Sequence, residues 1–289
     1  MSQNQPSHFL SLALAIFIMS SSGTLGRYIE LPPPTIIWLR CVIGAIALLI
    51  IIKSFSYELQ IKRRKDAFFL FLGGMLLGGH WVTYFYALQL STVAIGMLSL
   101  FTYPVISAIL EPLILKTRFQ RSTIVLAIIS LIGVSFLVPE LSFDNQYTLG
   151  IAVGILSAFF YSFRNIILKK QISGQSGMTL MFYQLLVIAL IGWPMLWIES
   201  PSWQEIALNW KALLFLGLFT TATGHTLFTF SFKHFSVSTV SILSALTPLV
   251  GIFYGYLFLQ EVPGERTLIG GALILSTVIL ESIATIRRK

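Results

Sequence analysis

Charge is what this chain is shortest of. Only 10% of its 289 residues are Asp, Glu, Lys or Arg, where an ordinary soluble domain carries roughly 25%. So little charge cannot cover a water-soluble surface. Cysteine is nearly absent, since Cys41 stands alone, and this excludes a disulfide framework and a cysteine-rich metal site. Acidic groups are few: Asp66 and Asp144 are the only aspartates, both in predicted loops, and among nine glutamates only Glu111 lies plainly inside an apolar stretch. Paired carboxylates or a His/Asp metal cluster are hard to assemble from that inventory, so an intramembrane enzyme is a weak reading and no metal or cofactor is expected. No segment reads G-x-x-x-x-G-K-[ST], so the chain has no phosphate-cradling loop for ATP hydrolysis.

What is present is apolar length. Hydrophobic residues make up 56% of the chain, in runs near the twenty residues that a helix needs to cross the roughly 30 Å hydrocarbon core. The runs are too long and too uniformly apolar for barrel strands, so the fold class is an all-α membrane protein. Ten helices are predicted near 8–26, 35–53, 67–89, 93–115, 122–138, 148–169, 178–198, 209–232, 237–259 and 267–286. Connections are short, the longest polar ones being 54–66, 139–147 and 199–208, so residues 1–289 read as a single transmembrane domain.

The runs repeat. Residues 70–73 and 214–217 both read Leu-Phe-Leu-Gly, 144 positions apart, and at the same offset Val93 meets Val237, Pro104 meets Pro248 and Val134 meets Val278. Two five-helix repeats follow, 8–138 and 148–286, joined near Asp144. An odd number of spans per half makes the second half enter the bilayer from the opposite side, the inverted-repeat logic of secondary transporters.

The formal charge of +8 could suggest nucleic acid, but its placement argues against that partner. With the N-terminus inside, the cytoplasmic segments hold Lys53, Lys62, Arg63, Arg64, Lys65, Lys116, Arg118, Arg121, Lys169, Lys170, Lys233, Arg287, Arg288 and Lys289. Outer segments hold only Arg27, Lys211 and Arg266. This bias of fourteen to three puts both termini in the cytoplasm. Trp193, Trp197, Trp203 and Trp210 cluster around the predicted outer loop, as an interfacial belt would. Residues 1–8 carry no Lys or Arg, so the first helix is not read as a cleaved signal peptide.

Ionisable residues inside spans are costly and point to function. His80 and His225 each follow a glycine in equivalent helices, at an offset of 145, one more than the repeat. Each is a candidate for proton coupling or substrate binding, beside the plain reading of an imidazole bonded to a neighbouring helix. Arg40 either snorkels outward or anchors a substrate carboxylate, and its repeat equivalent is Gln184. Glu111 is a third proton-coupling candidate, although snorkelling into the basic rim at Lys116 and Arg118 is the favoured account. Arg164 is expected to reach water at the inner end of its helix.

Polar and aromatic residues also line up at helical spacing: Ser157, Tyr161 and Arg164; Ser241, Ser244 and Thr247; Ser99 and Tyr103. Pro104 and Pro248, near the middle of equivalent helices, are candidate hinges or static bends. A cavity is expected between helices 1, 3, 4, 6, 8 and 9. Its substrate-binding candidates are His80, Trp81, Tyr84 and Tyr103 from the first half, Tyr161, His225 and Ser244 from the second, with Arg40 as anchor.

Several stretches carry a resemblance: Thr35-Ile36-Ile37-Trp38-Leu39-Arg40, Tyr84-Phe85-Tyr86-Ala87-Leu88 through Ser91-Thr92-Val93-Ala94 to Tyr103-Pro104, and Leu259-Gln260-Glu261 leading into Leu268-Ile269-Gly270-Gly271. Along its whole length the chain resembles the EamA type of the drug/metabolite transporter superfamily, bacterial proteins of ten helices in two five-helix repeats. The resemblance implies a multi-pass protein of the bacterial cytoplasmic (inner) membrane that exports small metabolites or drugs by alternating access. One departure stands out: the glutamate after the fourth helix of a repeat is matched at Glu261, whereas the first half has Lys116-Thr117 there. The expected partners are a small-molecule substrate and the lipid bilayer, and a homodimer is compatible with the reading. A channel-like or structural membrane protein is the alternative.

Overall fold

The computed structural model describes residues 5–286 apart from 57, 60, 62–63, 117–120, 138–144, 170–175, 232–233, 236–239 and 241–242. Ser241, Val237, the junction at Asp144, Thr117 and the basic residues Lys62, Arg63, Arg118, Lys170, Lys233 and Arg287 to Lys289 lie outside the described residues. Every regular element among the described residues is helical. In order they are α1 (Gln5–Tyr28), α2 (Pro33–Ser54), α3 (Arg64–Leu90), α4 (Val93–Leu100), α5 (Tyr103–Leu115), α6 (Arg121–Leu137) and α7 (Gln146–Lys169). There follow α8 (Gly177–Gly192), the short α9 (Met195–Glu199), α10 (Trp203–Leu208) and α11 (Trp210–Phe215), and then a π-helical segment (Leu216–Gly224). The chain ends with α12 (His225–Ser231), α13 (Leu246–Leu259) and α14 (Glu265–Ile286).

Among the described residues, four helices and the broken α4–α5 stretch are long and apolar enough to cross a membrane by length and composition: His8–Tyr28, Pro33–Ser54, Arg64–Leu90, Gln146–Ile167 and Val93–Ile114. Large apolar side chains such as Leu131, Ile50, Phe68 and Phe258 are exposed, a surface suited to lipid rather than water. With lipid outside, burial of apolar area gives helices little reason to associate, so close packing and hydrogen bonds carry the assembly. Polar ties of this kind are plentiful. Trp38 Nε1 donates to the Ala189 carbonyl (2.8 Å), and the Tyr183 hydroxyl donates to that of Leu59 (2.6 Å).

Glycine allows a close approach between α2 and the π segment. A Cβ added at Gly217 would lie 2.6 Å from Ile43 Cβ and 3.3 Å from the Arg40 carbonyl oxygen, so only hydrogen fits. The main core runs between α2, α3, α7 and α8, with Phe85, Leu88, Leu48 and Leu185 fully enclosed.

The stretch predicted as one helix over 93–115 is interrupted. Phe101 and Thr102 form a turn between α4 and α5, and the Thr102 hydroxyl donates to the Ser99 carbonyl (2.8 Å). Pro104 therefore stands in the first turn of α5, where its missing N–H costs nothing, and Pro248 likewise stands in the first turn of α13. The expectation of mid-helix kinks is corrected: the prolines start new helical segments. The predicted helix at 178–198 also ends early, at Gly192.

Candidate functional site

Elements α1, α3, α4, α5, α7, α12 and the π segment converge on a cavity with about 660 Å³ of unfilled space, its open mouth included. Aromatic rings form much of its wall. Tyr103 and Tyr161 meet edge to face with centroids 4.8 Å apart, His80 lies 4.5 Å from Tyr161, and Trp81 lies 5.4 Å from His225. Tyr84 stacks on His80 at 6.1 Å. Ser244, which Tyr103 hydrogen-bonds, and Thr247 complete the polar part from the other half of the chain. Seven of the eight sequence-predicted substrate residues thus border one space, and Arg40 stands just behind it.

Hydrogen bonding assigns the tautomer of His80. The Ser157 hydroxyl donates to the His80 carbonyl (2.8 Å), and the same oxygen lies 2.7 Å from His80 Nδ1. With its proton already given, Ser157 can only accept, so Nδ1 carries the hydrogen. In the neutral ring Nε2 is then a lone-pair acceptor.

Arg40, 1% exposed, neither snorkels nor reaches the cavity directly. Its Nε and Nη2 donate to Thr221 Oγ1 at 2.9 and 2.8 Å, Nη2 also reaches Thr220 Oγ1 at 3.3 Å, and Nη1 makes a long bond to Ser22 Oγ at 3.4 Å. The guanidinium lies 4.3 Å over the Trp81 ring and 5.5 Å over that of Phe85.

The π segment makes this nest. Thr220 Oγ1 donates to the Leu216 carbonyl four residues back (2.6 Å), and Thr221 Oγ1 to the same carbonyl five residues back (2.8 Å). A wider turn brings adjacent threonines closer to one face than an α-helix would. Both hydroxyl protons are spent, so both oxygens can only accept from Arg40. Ser22 and Thr220 line the cavity, which leaves one layer of hydroxyls between the charge and the space.

Other expectations are corrected by position. Arg164 does not turn to water: its Nε and Nη2 donate to Gln184 Oε1 at 3.3 and 2.8 Å, and Nη1 to Asn165 Oδ1 at 3.1 Å. Gln184 is fully buried in α8, and its Nε2 has no partner among the described residues. Ser99 and Tyr103 do not share a face, because the turn at Phe101 separates them; Ser99 donates to the Ile95 carbonyl (2.7 Å) and packs on Gly154. Glu111 is half-buried on α5 and is not part of the cavity wall.

The side of the cavity toward Trp193 and Trp197 is closed by packed layers. Met97, on the wall, fits against Gly23 and Gly251. Beyond it Thr24 Oγ1 donates to the Gly251 carbonyl (3.4 Å), and Val93 rests on Gly255. At the rim Arg27 pairs with Glu261 (3.2 Å) and donates to the Gln89 carbonyl (2.8 Å), while Glu261 accepts from the Val93 N–H (2.8 Å) at the start of α4. Glu261 thereby ties the end of α1 to α4. Sequence reasoning missed Ser22, Thr220 and Met97 as wall residues; two adjacent threonines inside an apolar span were the available signal.

The chain matches known proteins over its whole length. The profile of the EamA-like transporter family matches twice, at residues 7–138 and 148–283. The pseudopaline exporter CntI of Pseudomonas aeruginosa is 25% identical over 272 residues, covering 93% of this chain and 94% of that one. Protein RarD of Salmonella typhimurium is 27% identical over 301 residues, covering 99% of each. One crystal structure superposes with a TM-score of 0.69 at 18% identity, over 98% of this chain and 99% of the other, a likeness of fold.

Proposed function

Because the chain belongs to the EamA-like transporter family, a family of multi-pass membrane transporters, we propose that it is a secondary active exporter of a small metabolite, an amino acid or related amphipathic compound. It works by alternating access around the central cavity. The observation that carries this reading is the way the two halves pair. Helices α2 and α8 pack together, as do α6 and α14, each against its own counterpart in the repeat. Where α3 packs on α7, the π segment and α12 pack on α1; where α1 packs on α13, α7 packs on α4 and α5. Exchanging the halves leaves this set of pairs unchanged, as a two-fold axis demands. Ten spans in two inverted repeats, 8–138 and 148–286, account for it, and the double family match supports the same division.

With both termini cytoplasmic by the positive-inside rule, the tryptophan-rich side faces outward, and the layers from Met97 to Glu261 describe a state closed to the outside. His80 is the first choice for the coupling proton: it borders the cavity and offers a lone pair at Nε2. His225 is the second and Glu111 the third. Pro104 and Pro248, each at the start of a helical segment after a turn, are the positions about which those segments would swing.

Purified protein in proteoliposomes, offered a panel of metabolites with and without a pH gradient, tests the transport reading. Saturable flux that the gradient accelerates, with counterflow, is expected; large steady ionic currents, or no flux of any compound, would sink it. For His80, the His80→Ala variant should fold and lose the gradient response between about pH 5 and 8. Full transport across that range removes His80 from the coupling step.

A further inference from the structure

We propose that the cavity selects ligands of net negative charge, taking a carboxylate at the Ser22 hydroxyl, which stands between the cavity and the Nη1 edge of Arg40. The inference rests on the transport reading of the cavity and names its substrate class. Charge balance is the first argument. A buried cation without a counter-ion is expensive inside a membrane protein, and Arg40 and Arg164 both flank the cavity without meeting a carboxylate among the described residues. The described ion pair, Arg27 with Glu261, lies at the rim beyond Met97 and Thr24. Neutral partners hold both guanidinium groups: hydroxyls for Arg40, side-chain amides for Arg164. Neither site cancels its charge, and an anionic ligand would.

Geometry places the anion. Three of the four bonds of Arg40 run from Nε and Nη2 to Thr220 and Thr221, so that edge is fully engaged. Nη1 has only the 3.4 Å bond to Ser22, the weakest of the set, so it is through Ser22 that the charge is felt in the cavity. Ser22 accepts from Nη1 and borders the cavity, so its own proton is available to a ligand, strengthened by the cation behind it. A carboxylate accepting from the Ser22 O–H gains a hydrogen bond strengthened by the guanidinium one hydroxyl behind it.

The rings argue against an amine. Trp81 already receives Arg40, and Tyr161 has Arg164 6.0 Å from its centroid, so two cavity rings that could hold an ammonium group are each engaged by a cation. The remaining rings supply apolar surface for the body of the ligand.

The test uses one ring with three charges: phenylacetate, L-phenylalanine and phenethylamine, titrated into the purified full chain and read by calorimetry. Phenylacetate should bind about tenfold more tightly than phenethylamine, with phenylalanine between them. Ser22→Ala should weaken phenylacetate several-fold and leave phenethylamine unchanged. It keeps Arg40 in place, so it serves even where Arg40→Gln fails to fold. Binding without charge order, or with the zwitterion or the amine ahead, overturns the proposal and leaves the transport reading standing. Binding of none of the three overturns it as well, and the metabolite panel then decides the transport reading separately.

Discussion

Helix α3 and the stretch 210–231 hold equivalent places in the two halves and share the same landmarks, Leu-Phe-Leu-Gly followed by Gly-His. One is an unbroken α-helix; the other is interrupted by nine residues of π-helix. The spacing differs by one residue: His80 follows Gly73 by seven positions, and His225 follows Gly217 by eight. The π segment lies between those landmarks and absorbs the extra residue, which is the usual way an insertion is accommodated without breaking a helix. Its effect is local and chemical. Positions matching Thr220 and Thr221 at the 144-residue offset are Leu76 and Leu77, which pack apolar surface, whereas the threonines hold Arg40. Near-equal backbones thus carry opposite polarity at one level of the bundle.

Removing one residue from the wide turn is the strongest way to break that contrast. Deleting Ala222 should restore α-helical spacing and swing Thr221 away from Arg40, costing about 3 kcal/mol as a buried cation loses its best acceptor. A lowered melting temperature together with lost transport is expected. Unchanged melting would show that the turn does not set the Arg40 geometry.

A milder change leaves the turn in place. Thr221→Val keeps shape but removes an acceptor that serves both Nε and Nη2, so a loss of about 1.5–3 kcal/mol is expected, with Thr221→Ser recovering most of it. Equal melting of the Val and Ser variants would count against the hydroxyl as the stabilising group.

The smallest effect lies upstream, in α10. Hydrogen bonds from the Ser202 backbone N–H and hydroxyl hold the Glu205 carboxyl below the usual carboxylate range. A depressed carboxylate stabilises fully above its ordinary value of about 4.3, and that contribution is lost as pH falls through the lowered one. Ser202→Ala removes the hydroxyl bond, so acid fraying of residues 203–208 should begin at higher pH, read by hydrogen exchange. An unshifted onset would mean that the capping box does not hold this helix.

Much of the fold was legible because lipid imposes one rule on every span, and apolar length alone then gives the helices away. The break at Phe101–Thr102 was not legible: Leu100, Phe101 and Thr102 continue the apolar run, and only hydrogen bonding distinguishes a turn from a helix there. Arg164 was assigned to water because its distance from the helix end fits snorkelling. Its true partner, Gln184, lies on another helix and could not be found by spacing. The ring set around His80 was legible as residues on shared helical faces. Ser22 was not, since a serine inside an apolar span packs helices as readily as it lines a cavity. The offset of 145 between the histidines, one more than the repeat, is the trace of the π segment.

In genetic terms the wide turn is a single codon. One in-frame insertion or deletion rotates the polar shelf beneath Arg40 by about 100° relative to the rest of its helix, with no side chain replaced. The electrostatics of the cavity can therefore change in one event while nearly every residue stays the same. Two members of such a lineage, almost identical by alignment, could differ in what they carry by the presence or absence of a residue that touches no ligand.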